Sequence, residues 1–195
     1  MKSILKPLPF AALRDHVRFL GRLVISPRNV GAIAPSGAML ADAMVAPLPL
    51  NGPILELGPG PGAFTRAILR KGLIADQLTL IERDPEFVRT LQRKFPGVHV
   101  LHGDALHLDQ LLPPHQYHQK FSGVISGLPL LNFPVAVREK LVADVLDYLQ
   151  PGAPFVQFSY GLNSPVRESQ TCSVEQSAFV WNNLPPARVW VYRRK

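Results

Sequence analysis

Ile54-Leu55-Glu56-Leu57-Gly58-Pro59-Gly60-Pro61-Gly62 is an apolar run that ends in three alternating glycines. Twenty residues beyond Gly62, a second apolar run, Leu78-Thr79-Leu80-Ile81, closes on Glu82. This spacing points to a nucleoside cofactor. Glycines let the chain turn tightly and bring its backbone close to a ligand, and a carboxylate at the end of the neighbouring strand accepts from both ribose hydroxyls.

Three ligand readings follow from the loop. Gly58-Pro-Gly60-Pro-Gly62-Ala63 fits the dinucleotide pattern with alanine in last place. A pyrophosphate, however, docks on backbone N–H donors at the turn and the helix start, and Pro59 and Pro61 each remove one. S-adenosylmethionine carries no phosphate, and its sulfonium is positive, so it loses nothing there. It is the favoured cofactor, with a dinucleotide and a purely structural turn as the other readings.

Outward from this loop the pattern alternates. Strands are expected at 54–57, 78–82, 98–101, 121–126 and 154–160. Helices are expected at 63–71 (closed by Gly72), 85–95 (capped by Asp84), briefly after Asp104, and at 134–149 (stopped by Pro151-Gly152). Two apolar runs at 178–183 and 187–193, joined by Leu184-Pro185-Pro186, predict a terminal hairpin. The expected fold class is therefore α/β: a doubly wound, mostly parallel seven-stranded sheet with an antiparallel last strand, the Rossmann-like class I methyltransferase architecture.

In such sheets the ligand sits beyond the carboxyl ends of the strands, which selects the candidate site residues. Gly58, Gly60, Gly62 and Glu82 have been named. Glu56 precedes the loop in a strand that should be buried, so its carboxylate needs partners; loop amides or a water near the cofactor's amino-acid end are expected. Asp104 is placed to accept from an adenine amine and Ala105 to offer its N–H to the ring, while Asp104 also reads as a cap for a helix over 105–111. Ser126-Gly127-Leu128-Pro129 ends the fourth strand on the acceptor side. There Gly127 permits close approach, and Pro129 fixes the direction of the following carbonyls, which can hold an amine with its lone pair towards the methyl group; an ordinary strand-to-helix turn ahead of Pro134 is the alternative. Tyr160, at the end of strand five, is a candidate orienting group rather than a strong base. No metal site is suggested.

The chain has 195 residues, 47% of them hydrophobic, and a formal net charge of +7, which suits one compact core. A lone Cys172 rules out an internal disulfide and suits a reducing cytosol. No apolar run is long enough to span a bilayer, and no signal peptide is evident at the start. The charge is concentrated at the ends: Lys2, Lys6, Arg14, Arg18, Arg22 and Arg28 face only Asp15 in residues 1–30, and Arg188, Arg193, Arg194 and Lys195 crowd the last eight. Phe10, Leu13, Val17, Leu20 and Val24 recur at helical spacing beside Arg14, Arg18 and Arg22, an amphipathic basic helix suited to an anionic membrane surface or, alternatively, packed on the domain. A second helix is expected from Ser36 to Val45. The division expected is an N-terminal helical segment, 1–50, and a cofactor-binding domain, 51–195.

Several stretches together resemble a known family: Val30-Gly-Ala-Ile-Ala-Pro-Ser36, Glu56 to Gly62, Gly103-Asp104-Ala105, Ser126-Gly-Leu-Pro-Leu-Leu-Asn132, Gln157-Phe-Ser-Tyr-Gly161 with Pro165-Val166, and Trp181-Asn182 through Trp190. Over nearly the whole chain these are similar to bacterial phospholipid N-methyltransferases, themselves similar to ribosomal RNA adenine dimethylases. The resemblance implies methyl transfer from S-adenosylmethionine to the amine of phosphatidylethanolamine or its methylated derivatives, as in phosphatidylcholine biosynthesis. It also implies a phospholipid substrate and a monomer held peripherally at the cytoplasmic face of the membrane. The dimethylases usually carry Asn-Leu-Pro-Tyr where this chain has Gly127-Leu-Pro-Leu130, and they continue into a helical RNA-binding domain. The stacking aromatic is missing here, so no nucleic-acid partner is expected. RNA adenine methylation remains the alternative, with a non-catalytic membrane-surface protein as the second. Trp181, Trp190 and Tyr192 are candidate faces for a quaternary ammonium product or else core aromatics, and Arg167 is a candidate contact for a lipid phosphate.

Overall fold

The computed structural model describes residues 35–112 and 120–195. The basic helix expected near residues 10–24 lies outside them. The compact unit that holds the sheet begins at Pro35, so the helix expected within a 1–50 segment belongs to this unit.

Its elements are α1 (Pro35–Val45), β1 (Ile54–Leu57), α2 (Ala63–Arg70), β2 (Leu78–Glu82), α3 (Pro85–Lys94), β3 (His99–His102), α4 (Leu108–Leu111), β4 (Gly123–Ser126), α5 (Val135–Asp147), β5 (Phe155–Ser159), β6 (Cys172–Val180) and β7 (Ala187–Arg194). They build one seven-stranded sheet in the order β3-β2-β1-β4-β5-β7-β6. The first five strands are parallel, and β7 runs antiparallel to both β5 and β6. This is the expected class I methyltransferase architecture.

Strands β1, β2, β4 and β5 are buried at every position, which is why they read as unbroken apolar runs rather than alternating ones. On one face Leu40, Met44 and Val45 of α1 and Phe64 and Ile68 of α2 cover Ile54, Leu80 and Val156. On the other, Leu141, Val142 and Val145 of α5 cover Leu55, Val124 and Phe155. Asp84 caps α3 by accepting from Glu86 N–H at 2.8 Å, with Pro85 at the first helical position.

Two boundaries depart from expectation. Strand β6 begins at Cys172 rather than 178. It lies on the sheet edge, where one side needs no apolar cover, so Ser173, Glu175 and Gln176 resemble a loop in composition. Asp104 does not cap a helix over 105–111. Its Oδ1 accepts from Leu106 N–H at 3.0 Å in a local turn, and α4 starts only at Leu108.

Register fixes which chain ends share a side. Ser159, the last residue of β5, pairs with Arg188, and Arg188 with Phe179. The β6–β7 turn therefore stands at the same end of the sheet as the glycine loop. Phe155 pairs with Tyr192, so Arg193, Arg194 and Lys195 finish at the opposite end. There they pair with Glu175, Asp147 and Glu168, which neutralises much of the basic tail.

Candidate functional site

The glycine loop leaves β1 with three left-handed residues, Gly58 at φ 65°, Gly60 at 55° and Gly62 at 85°. Side chains rarely adopt this conformation. The three differ in surroundings. A Cβ on Gly62 would meet the Phe95 ring at 2.5 Å and one on Gly58 the Leu128 side chain at 2.7 Å, whereas one on Gly60 would meet nothing within 4 Å. Gly60 is thus the open crest of the loop.

Glu82 closes this crest from the neighbouring strand. Its Oε2 accepts from Gly60 N–H at 2.9 Å and its Oε1 from Asp84 N–H at 2.8 Å. A carboxylate has about four lone-pair positions, so two remain for the hydroxyls of a ribose. The loop also takes a backbone bond from Gly58 N–H to Ile81 O at 2.9 Å, which locks β1 and β2 together at the site.

Glu56 is wholly buried beneath the loop. Its Oε2 accepts from the Thr65 hydroxyl at 2.7 Å, so its direct partner is a helix side chain rather than the loop amides expected. Oε1 has no partner among the described residues. Burial drives the carboxyl pKa up to about 8, with the nearby Glu82 charge adding to the rise and the Thr65 bonds opposing it. That oxygen is a polar contact which the described residues leave open to a ligand group. Two loop prolines without N–H donors, an open Gly60 crest and a largely neutral Glu56 carboxyl with one unpartnered oxygen suit a phosphate-free adenosine ligand bearing an amino-acid tail.

At the end of β3, Asp104 splits its carboxylate between Leu106 N–H and Arg83 Nη1 at 3.3 Å. Ala105 beside it is buried. One oxygen of Asp104 therefore carries an exposed cation as well as any adenine contact.

The acceptor side is built on close backbone approach. A Cβ on Gly127 would stand 2.5 Å from the Gly58 carbonyl oxygen, so glycine lets the end of β4 lie directly on the cofactor loop. Ser126 is fully buried, and its hydroxyl accepts from Leu128 N–H at 3.1 Å, a turn-forming role. The Leu128 carbonyl accepts from Gln157 Nε2 at 2.9 Å and from Leu130 N–H at 2.9 Å. It is thereby held rigidly but has no free lone pair for an amine. Among the described residues the Pro129 carbonyl accepts only from Asn132 N–H, at 2.9 Å, and keeps one.

Tyr160 packs edge-on against Phe158, which packs edge-on against Phe64 at the start of α2. Burial holds its phenol above the ordinary range, opposed by a side-chain hydrogen bond with Asn183. Such a phenol is protonated at neutral pH. Trp190 and Tyr192 are core residues: the indole N–H donates to Ser159 Oγ at 3.0 Å, and the phenol pairs with Ser164 Oγ at 2.7 Å. Trp181 is exposed. Arg167 is exposed too. Among the described residues no cluster of His, Cys, Asp or Glu could hold a metal ion, and no helix is long and apolar enough to cross a membrane.

Thr65, Gln157 and Asn183 were not foreseen as site residues. Gln157 carried a signal, being the one amide in the otherwise apolar run Phe155-Val156-Gln157-Phe158.

Residues 45–153, from the end of α1 through α5, match the model of the ribosomal RNA adenine dimethylases. The chain belongs to the ribosomal RNA adenine dimethylase family. It is a methyltransferase with S-adenosylmethionine as its cofactor. The relatives within reach of this dimethylase-family chain divide by how much they share. The ornithine lipid N-methyltransferase of Singulisphaera acidiphila is 28% identical over 93% of this chain and 97% of its own length. The ribosomal RNA small subunit methyltransferase A of Afipia carboxidovorans is 40% identical, but over 39% of this chain and 27% of its own length. The chain thus spans about a quarter of that RNA methyltransferase. Among solved structures, the magnesium protoporphyrin IX methyltransferase of Synechocystis, determined with bound S-adenosylmethionine, superposes with a TM-score of 0.66 at 13% identity, covering 98% of this chain and all of that one. The N-methyltransferase NodS of Bradyrhizobium japonicum superposes at 0.60 with 14% identity, covering 91% and 97%. At such identities these share the fold.

Proposed function

We propose that this dimethylase-family chain transfers a methyl group to the amine of a membrane lipid headgroup, phosphatidylethanolamine or its methylated derivatives, with an aminoacyl lipid of the ornithine type as the second amine. The observation that carries this reading is Leu130. In the register of Gly127-Leu-Pro-Leu130, it takes the place of the aromatic that stacks on a target base in the dimethylases. It is 1% exposed and packed into the core, so it offers no platform to a purine. The family match also ends before β5, while likeness to the lipid enzyme continues along the chain.

In this reading Gly58, Gly60 and Gly62 shape the seat of the cofactor, Glu82 takes the ribose, Asp104 and Ala105 meet the adenine, and Glu56 lies under the amino-acid end. The cofactor supplies an electrophilic methyl carbon. The protein's part is orientation and desolvation. The free lone pair of the Pro129 carbonyl takes an amine hydrogen, and Gln157 holds the preceding carbonyl so that this one cannot drift. Apolar surroundings disfavour the ammonium form of the amine. Tyr160 orients, and water carries the proton away. The basic segment near residues 10–24 would bring the enzyme to anionic membranes, each basic side chain contributing about 1 kcal/mol.

The test is mass spectrometry of vesicles that contain both lipid classes after incubation with purified protein and methyl donor. Successive methyl increments on one lipid identify its amine as the acceptor. Unmodified lipids of both classes, with donor bound, would overturn the lipid reading.

A further inference from the structure

Of the eight large apolar side chains that stand exposed among the described residues, six fall in three short segments: Leu131 and Val135 after β4, Leu162 after β5, and Phe179, Trp181 and Leu184 around the β6–β7 turn. Trp181 is 70% and Leu184 91% exposed. All three segments leave the sheet at the cofactor end. They form one rim. A Cβ on Gly161 would meet Leu131 Cδ1 at 2.9 Å, Arg188 Nη1 donates to the Gly161 carbonyl at 3.3 Å, and the same guanidinium lies over the Phe179 ring at 4.7 Å.

The charge on these segments is one-sided. Residues 127–138, 160–167 and 179–188 contain no aspartate or glutamate and one arginine each, Arg138, Arg167 and Arg188. An apolar crest with the exposed Arg167 and the half-buried Arg188 beside it, and acids only just beyond the segments at Glu139 and Glu168, matches the interface of an anionic bilayer, where indole and leucyl side chains sit among headgroups and basic groups meet phosphates. A nucleic acid would demand many cations and would leave Leu184 and Leu162 unburied.

We infer that this rim, with the β6–β7 turn at its tip, inserts into an anionic lipid surface and sets the acceptor end of the sheet against the headgroups. The inference rests on the lipid reading for its purpose, but docking and methyl transfer are separately measurable. Insertion here is also distinct from attachment through the basic N-terminal segment.

The chain has two tryptophans, and Trp190 is buried in the core at 9% exposure. A W190F variant therefore leaves Trp181 as the sole indole reporter. The probe is vesicles of phosphatidylglycerol and phosphatidylethanolamine, with and without brominated acyl chains, read by emission and by sedimentation. The expected result is a blue shift of Trp181 emission on binding, quenching by the brominated lipid, and vesicle binding weakened about tenfold or more by W181S/L184S with the melting temperature unchanged. Should W190F misfold, the full chain with both tryptophans gives the same quenching contrast between wild type and W181S. Sedimentation with vesicles while Trp181 stays unquenched would show attachment by another surface and overturn the inference. So would an absence of binding, or a Trp181 already blue-shifted in the free protein. If Trp181 inserts but no lipid is methylated, docking stands and the proposed acceptor falls.

Discussion

Glu82 and Gly60 are joined by a hydrogen bond of 2.9 Å from the glycine N–H to the carboxylate, so the residue that would hold the ribose also pins the crest of the cofactor loop. If Glu82 takes the ribose, one carboxylate couples loop geometry to ligand affinity.

Replacing Glu82 by Gln leaves one acceptor oxygen for two N–H donors and removes the charge. A charge-assisted bond is worth roughly 1.5–3 kcal/mol, so donor affinity should fall by about 10- to 150-fold. Calorimetric titration with the demethylated cofactor product checks this; an unchanged Kd would mean the carboxylate serves only the loop.

Gly127 and Gly60 should respond oppositely to alanine. At Gly127 the added methyl meets the Gly58 backbone oxygen, so G127A should cost about 1–3 kcal/mol of stability, or about 2–4 °C of Tm per kcal/mol. At Gly60 the space is open, and only the left-handed backbone opposes the change, by roughly 1–2 kcal/mol. There the methyl would project into the proposed cofactor seat, so G60A should lose more donor affinity than stability. Thermal melts and titrations on both variants decide the pattern.

Glu56 makes stability depend on pH. Its pKa is raised in the fold to about 8 against an ordinary carboxylate in the unfolded chain, so folding takes up a proton between these values. Its contribution is fully present below about pH 4.5 and is lost as pH rises through about 8. At one pKa unit per 1.36 kcal/mol the loss is at most about 5 kcal/mol. The E56Q variant keeps an acceptor for Thr65 without the ionisation, so its urea-melt stability should fall less than that of the wild type from pH 5 to 9. Parallel profiles would place the proton elsewhere.

Gln157 and Tyr160 are expected to affect turnover rather than cofactor binding. Q157L frees the Leu128 carbonyl, and Y160F removes a polar group at the end of β5; kcat should drop about tenfold with donor Kd unchanged. A shift in Kd with kcat intact would reassign either residue to the cofactor.

Much of this was legible in the sequence because parallel strands buried on both faces have a composition unlike any loop. Ile54–Leu57 and Leu78–Glu82 show it, and their last residues fall at the site by the logic of the fold. What escaped depended on three-dimensional pairing. The partner of Glu56 is Thr65, on the next helix, which no spacing rule selects. The Leu128 carbonyl proved saturated by Gln157 and Leu130, a matter of hydrogen-bond count rather than residue type. Strand β6 was hidden by its edge position, and Asp104 by a turn that delays α4 to Leu108.

The most direct measurement is a competition for label. Purified protein is given radiolabelled S-adenosylmethionine together with phosphatidylethanolamine vesicles and unmethylated ribosomal RNA, and the label is partitioned between organic and aqueous phases. Lipid methylation predicts label in the organic phase, with the RNA at background; label in the RNA, with unlabelled lipid, would contradict it.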